Sequence, residues 1–229
     1  MRFALAVALV AIGGLGALAQ ALPDHARDSL GEWLAAPDDG RPGCRLRLLG
    51  ERTIGGWSAV PAPDCAARLP KLAEASAWDY EGGIRLFDPT RRKVATFEED
   101  ETTLLKTRGA DVPAILLVRA KAGVDRAPSA AQVAGPWTMR RPGGAPLCAV
   151  TLGTEKQAGE GGTVLAAGPC DAALAKMKLS RWQIEDFALM LYGGGDTSLR
   201  FEPASEGFVK AEAGRPLEMV RAAPKGDRQ

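Results

Sequence analysis

Two rare residue types recur in this chain in the same order and at nearly the same spacing, and that duplication limits the possible folds more than any other feature. Gly31-Glu32-Trp33 and Gly135-Pro136-Trp137 each open a segment in which a Cys follows the Trp at an identical interval, Cys44 in the first and Cys148 in the second. The next Cys is Cys65 in one copy and Cys170 in the other, and the next Trp is Trp78 or Trp182. Neither of these steps differs between the copies by more than a single position, and each copy closes on an apolar stretch ending in Arg119 or Arg221. Landmarks in such close agreement make the chain two tandem copies of one unit. Trp57 has no counterpart in the second copy, so the copies have diverged inside a common frame.

Within each copy the hydrophobic pattern is that of short strands. Cys44-Arg45-Leu46-Arg47-Leu48 alternates apolar and charged residues, as a strand with one buried and one wet face does, and Cys148 to Leu152 repeats the pattern. Ile84 to Phe87 and Val94 to Phe97, joined by Asp88-Pro89-Thr90-Arg91, read as a hairpin. Its counterpart joins Leu189 to Tyr192 with Ser198 to Phe201 through the turn Gly193-Gly194-Gly195-Asp196. The helical candidates lie just past the second Cys of each copy, at Cys65 to Ser76 and Cys170 to Met177. About eight short antiparallel strands per copy argue an all-β barrel or sandwich, and Trp33, Trp78, Trp137 and Trp182 are expected in its core.

The opening of the chain reads as a secretory signal over residues 1–21: Arg2, then an apolar run from Phe3 to Ile12, then Ala19-Gln20-Ala21 as a cleavage pattern. Cleavage there leaves Leu22 as the new N-terminus. An uncleaved anchor is the rival, but Gly13, Gly14 and Gly16 interrupt a run short of the about 20 residues a spanning helix needs. The expected organisation is then a first domain over 22–120, an Ala-rich linker over 121–134, a second domain over 135–222 and a polar, disordered tail over 223–229. A formal net charge of +1 gives no reason to expect nucleic acid or an anionic membrane as partner, and no later stretch is apolar enough to span a bilayer.

In an exported chain, four cysteines read as disulfides, and repeat equivalence pairs Cys44 with Cys65 and Cys148 with Cys170. Close cysteine pairs of the kind zinc sites prefer are missing from the sequence, and pairing leaves no catalytic thiol. His25 is the single histidine and precedes the first copy; no G-x-S-x-G, H-E-x-x-H, phosphate loop or dinucleotide fingerprint occurs. The acidic run Glu98-Glu99-Asp100-Glu101 reads as a solvated strand end. Each unit is expected to be a binding scaffold, not an enzyme, with no cofactor and no metal of its own.

These landmarks resemble a known family. Gly-x-Trp, a Cys opening an alternating strand, a second Cys followed by Ala-Arg-Leu-Pro-Lys-Leu, then Trp78, Ile-Arg-Leu-Phe-Asp and a strand ending in Phe97 are similar to the bacterial alkaline metalloproteinase inhibitor (Inh) family, whose domain also occurs in outer-membrane lipoproteins. Ser129-Ala130-Ala131-Gln132-Val133-Ala134-Gly135-Pro136-Trp137 is the sharpest stretch. The resemblance implies a lipocalin-like, eight-stranded antiparallel β-barrel per copy, each with one disulfide, exported to the periplasm or secreted, and inhibiting serralysin-type zinc metalloproteases. It further implies that the segment ahead of the barrel enters the protease cleft. Leu22 would bring its α-amino group to the catalytic zinc, and Pro23, Asp24, His25 and Ala26 would fill substrate subsites. The second copy has only an internal segment, which offers no free amine. Two other readings compete: an envelope module that binds another protein without inhibiting it, and a small-ligand carrier with an unfilled barrel interior.

Overall fold

The computed structural model describes residues 22–99, 104–108, 113–156, 162–185 and 187–222, with the backbone alone described at His25. The expected signal segment 1–21, the tail 223–229 and the acidic residues Asp100 and Glu101 lie outside the described residues.

Alternating sequence produces strands, and the strands close. In the first copy β1 (Gly31–Pro37), β2 (Cys44–Thr53), β3 (Gly56–Pro61), β4 (Ala77–Tyr80), β5 (Gly83–Phe87), β6 (Lys93–Glu99), β7 (Leu105–Thr107) and β8 (Ile115–Arg119) form one antiparallel barrel. Each strand pairs with the next, and β8 returns to β1, which closes the barrel. In the second copy β9 (Gly135–Arg140), β10 (Pro146–Lys156), β11 (Thr163–Cys170), β12 (Arg181–Glu185), β13 (Ala188–Tyr192), β14 (Ser198–Ala204), β15 (Gly207–Lys210) and β16 (Glu218–Arg221) close in the same order.

The period-two pattern puts Leu46 and Leu48 inside and Arg47 outside, and the interior is filled with Trp78, Ile84, Leu86, Phe97 and Leu117. In the second barrel Trp182, Leu189, Leu191, Phe201 and Met139 do the same. Barrels of eight strands have room for little more than their own side chains. All four repeat tryptophans are at most 8% exposed. Short helices stand where they were expected past the second Cys: α2 (Cys65–Arg68) and α3 (Pro70–Ala73) in the first copy and α5 (Ala172–Lys176) in the second. The bridges are Cys44–Cys65, from the first residue of β2 to the first residue of α2, and Cys148–Cys170, between facing positions of β10 and β11. The β5–β6 turn is held by Asp88, whose carboxylate accepts from the backbone N–H groups of Thr90 and Arg92 and from the Thr90 hydroxyl.

The stretch between the barrels is packed. Outward-facing Leu34, Ala36 and Leu116 of β1 and β8 are buried under Val124 and Ala127, with Phe187 of the second copy against them. Arg45 donates to the carbonyls of Lys121 and Val124, and the Gly43 N–H donates to the Asp125 carbonyl. From the segment ahead of the second barrel Gln132 donates to the Gly40 carbonyl at 3.0 Å, and Glu202 of β14 pairs with Lys121. Gly123, at φ +74°, leaves the space that Ser205 occupies: a Cβ there would lie 2.5 Å from that of Ser205.

Candidate functional site

The segment Leu22 to Leu30 ends where β1 begins, so it sits on the barrel rim formed by the starts of β1 and β3 and the ends of β4 and β8. Pro23 opens α1 (Asp24–Arg27), and its carbonyl accepts from the N–H groups of Ala26 and Arg27. Pro23 is the N-cap and has no side-chain group to cap the turn. One turn is too short to persist alone in water, and tertiary contacts hold it. Ala26 is fully buried in the first barrel's core, Leu22 and Leu30 are half-buried against the same core, and α1 packs on β4.

The end of the segment is fastened by three side chains that the repeat places together. Trp33 donates its indole N–H to the Ser29 carbonyl at 2.8 Å. Arg119 lies over the Trp33 ring, 4.1 Å from its centroid, and donates to the carbonyls of Leu30 and Asp28. Gly31, at φ +117°, lets the chain turn into β1, and a Cβ there would come within 3.2 Å of the Arg119 guanidinium. The second copy repeats this joint. Trp137 donates to the Val133 carbonyl at 2.8 Å, and Arg221 stacks 4.2 Å from the Trp137 centroid while donating to the carbonyls of Ala134 and Gln132. The Gly-x-Trp signature and the closing Arg are therefore parts of one device that fixes the leading segment to its barrel. The recurrence of Arg at the end of both copies was the available signal for it, and composition alone assigned that Arg no role.

The expected site residues separate into two groups. Leu22, Pro23 and Asp24 lie at the rim, with Leu22 half-buried, Pro23 and Asp24 exposed, and Asp24 paired to Arg27 at 3.0 Å. The backbone of His25 lies in α1. Ala26 is fully buried and faces the barrel core. In the second copy the matching stretch, with α4 (Ala130–Val133), is internal and faces the first barrel: Gln132 bonds Gly40, and Val133 and Ala127 are buried. No group of three or more metal-ligating side chains occurs among the described residues.

The first copy is a closed barrel with a filled interior and a short leading segment seated on its rim. The protease inhibitor Inh family matches this chain twice, over residues 24–119 and 127–221, and the chain belongs to that family. Its family role is protease inhibition, and a protease is the partner that role implies. Comparison with curated proteins and with solved structures found no match.

Proposed function

We propose that this protein is an exported inhibitor of serralysin-type zinc metalloproteases that acts through its mature N-terminus. The observation that carries the reading is the seating of Leu22, Pro23 and Asp24 at the rim of the first barrel in a chain of the Inh family. After cleavage at Ala21, the Leu22 amine is the group that meets the zinc. An α-amino group has an ordinary pKa of about 8, so a useful neutral fraction is present near neutrality to act as a nitrogen ligand.

Arg119 and the buried Ala26 give the leading segment a fixed origin, which lowers the entropy lost when its end enters a cleft. The second barrel contributes no second inhibitory end. Its leading segment has no free amine and is packed between the barrels. The chain acts as a one-to-one inhibitor, with the second barrel as a brace for the first. Titration of a serralysin-type protease with the exported protein, after its N-terminal residue has been sequenced, tests this reading.

A further inference from the structure

The hairpin joining β2 to β3 carries an exposed apolar residue at its tip. β1 pairs with β2 only as far as Gly31 opposite Leu48, yet β2 runs on to Thr53, and Arg52 and Thr53 pair with Trp57 and Gly56 beyond that point. The turn at its tip is Ile54-Gly55, with Gly55 at φ +100°. Tight hairpin turns favour Asn, Asp and Gly, and an apolar β-branched residue there brings no benefit to the fold. Ile54 is 69% exposed, whereas the other large exposed hydrophobics among the described residues, Val60, Val164 and Val209, are 38–39% exposed.

This tip is held stiffly. Arg52 lies over the Trp57 ring at 5.0 Å, Trp57 packs on Trp78 at 5.2 Å, and the Trp78 indole donates to the Leu49 carbonyl at 2.9 Å. Trp57 is the tryptophan that the second copy lacks; pairing with the repeat tryptophan of β4 or β12 places Thr163 at its position. The reinforced hairpin therefore belongs to the copy that carries the free N-terminus, and it lies at the same rim, with Leu30 beside Gly50.

The reach of the N-terminus decides what this means. Ala26 is buried, so at most four residues lead from it to Leu22, a span of about 14 Å even fully extended. Leu49 to Thr53, the part of β2 beyond its pairing with β1, covers about 16 Å along the strand. A protease that receives Leu22 must come up to the rim, and the hairpin tip projects on the same scale. We propose that Ile54 is a second contact point, docking into an apolar depression on the protease surface beside the cleft that takes the N-terminus. This rests on the inhibitor reading given above.

The test is inhibition of a serralysin-type protease by the mature full chain carrying Ile54→Asp, beside Ile54→Val and the unaltered protein, with thermal melting of each. The expected result is a rise of about tenfold or more in the inhibition constant for Ile54→Asp, as for an apolar hot spot, with Ile54→Val near the unaltered value and all three melting alike. An Ile54→Asp protein that inhibits as well as the unaltered chain overturns the second contact while leaving the N-terminal mechanism standing. Failure of the unaltered chain to inhibit any such protease overturns the reading on which it rests.

Discussion

Arg119 stacks on Trp33 at 4.1 Å, and through this contact the last strand of the first barrel holds the carbonyls of the segment that precedes the first strand. The same pair, Arg221 on Trp137, closes the second barrel. The chain is thus tied to itself at both ends of each repeat.

Removing this tie should separate stability from inhibition. Arg119→Ala loses a cation–π contact and hydrogen bonds from a charged donor, and because the guanidinium is exposed the expected loss is about 1–2 kcal/mol of first-barrel stability. Arg221→Ala should cost the second barrel a similar amount. Inhibition should weaken for Arg119→Ala and stay near the unaltered value for Arg221→Ala. Denaturant melts and inhibition constants for the two variants check this.

The disulfides join cysteines at sequence separations of 21 and 22, and closing a loop of that size restricts the unfolded chain by roughly 3 kcal/mol in the entropy model. Replacing Cys44 and Cys65 together with Ser should therefore destabilise the first barrel by an amount of that order. Inhibition should then become sensitive to temperature. Replacing Cys148 and Cys170 should lower the melting temperature while leaving inhibition at low temperature intact.

The Asp88 turn should give the first barrel an acid-sensitive element. The Thr90 hydroxyl, followed by donors from Arg92 and Thr90, holds the Asp88 carboxyl down to about 2 from an ordinary 3.8. A lowered folded-state value means that the stabilisation is fully present above the ordinary value and is lost as pH falls through the folded one. The stability of the unaltered chain should fall as pH drops from about 4 toward 2. Asp88→Asn should be less stable at neutral pH and show a shallower acid slope, measured by denaturant melts across that range.

The packing between the barrels predicts mechanical coupling. Gly123→Val places side-chain atoms where Ser205 sits and forces a backbone angle that a β-branched residue resists. The variant should retain both barrels, lose their fixed mutual orientation and show greater spread in small-angle scattering. Unchanged scattering would show that the contact does not hold the barrels.

Much of this architecture was legible in the sequence because rare residues marked it. Trp33, Cys44, Cys65 and Trp78 fixed the repeat, the alternation around Leu46 and Leu48 fixed the inward face, and repeat equivalence selected the bridges later found at Cys44–Cys65 and Cys148–Cys170. Barrel closure was less accessible, because the pairing of β8 with β1 joins the two ends of the copy and leaves no local signal. The 121–134 segment reads as an Ala-rich connector; its burial depends on outward-facing Leu34, Ala36 and Leu116, whose cover comes from distant parts of the chain. At the candidate site, the position of Leu22 to Asp24 ahead of the first strand was readable. The burial of Ala26 was not, since a small residue in a polar stretch carries no periodic pattern.

The N-terminal amine is the centre of the proposed mechanism, and one titration tests it most directly. The mature chain beginning at Leu22 and the same chain with one added residue before Leu22 are each titrated into a serralysin-type zinc protease. The account predicts one-to-one inhibition by the first and markedly weaker inhibition by the second. Equal inhibition by the extended chain would contradict it.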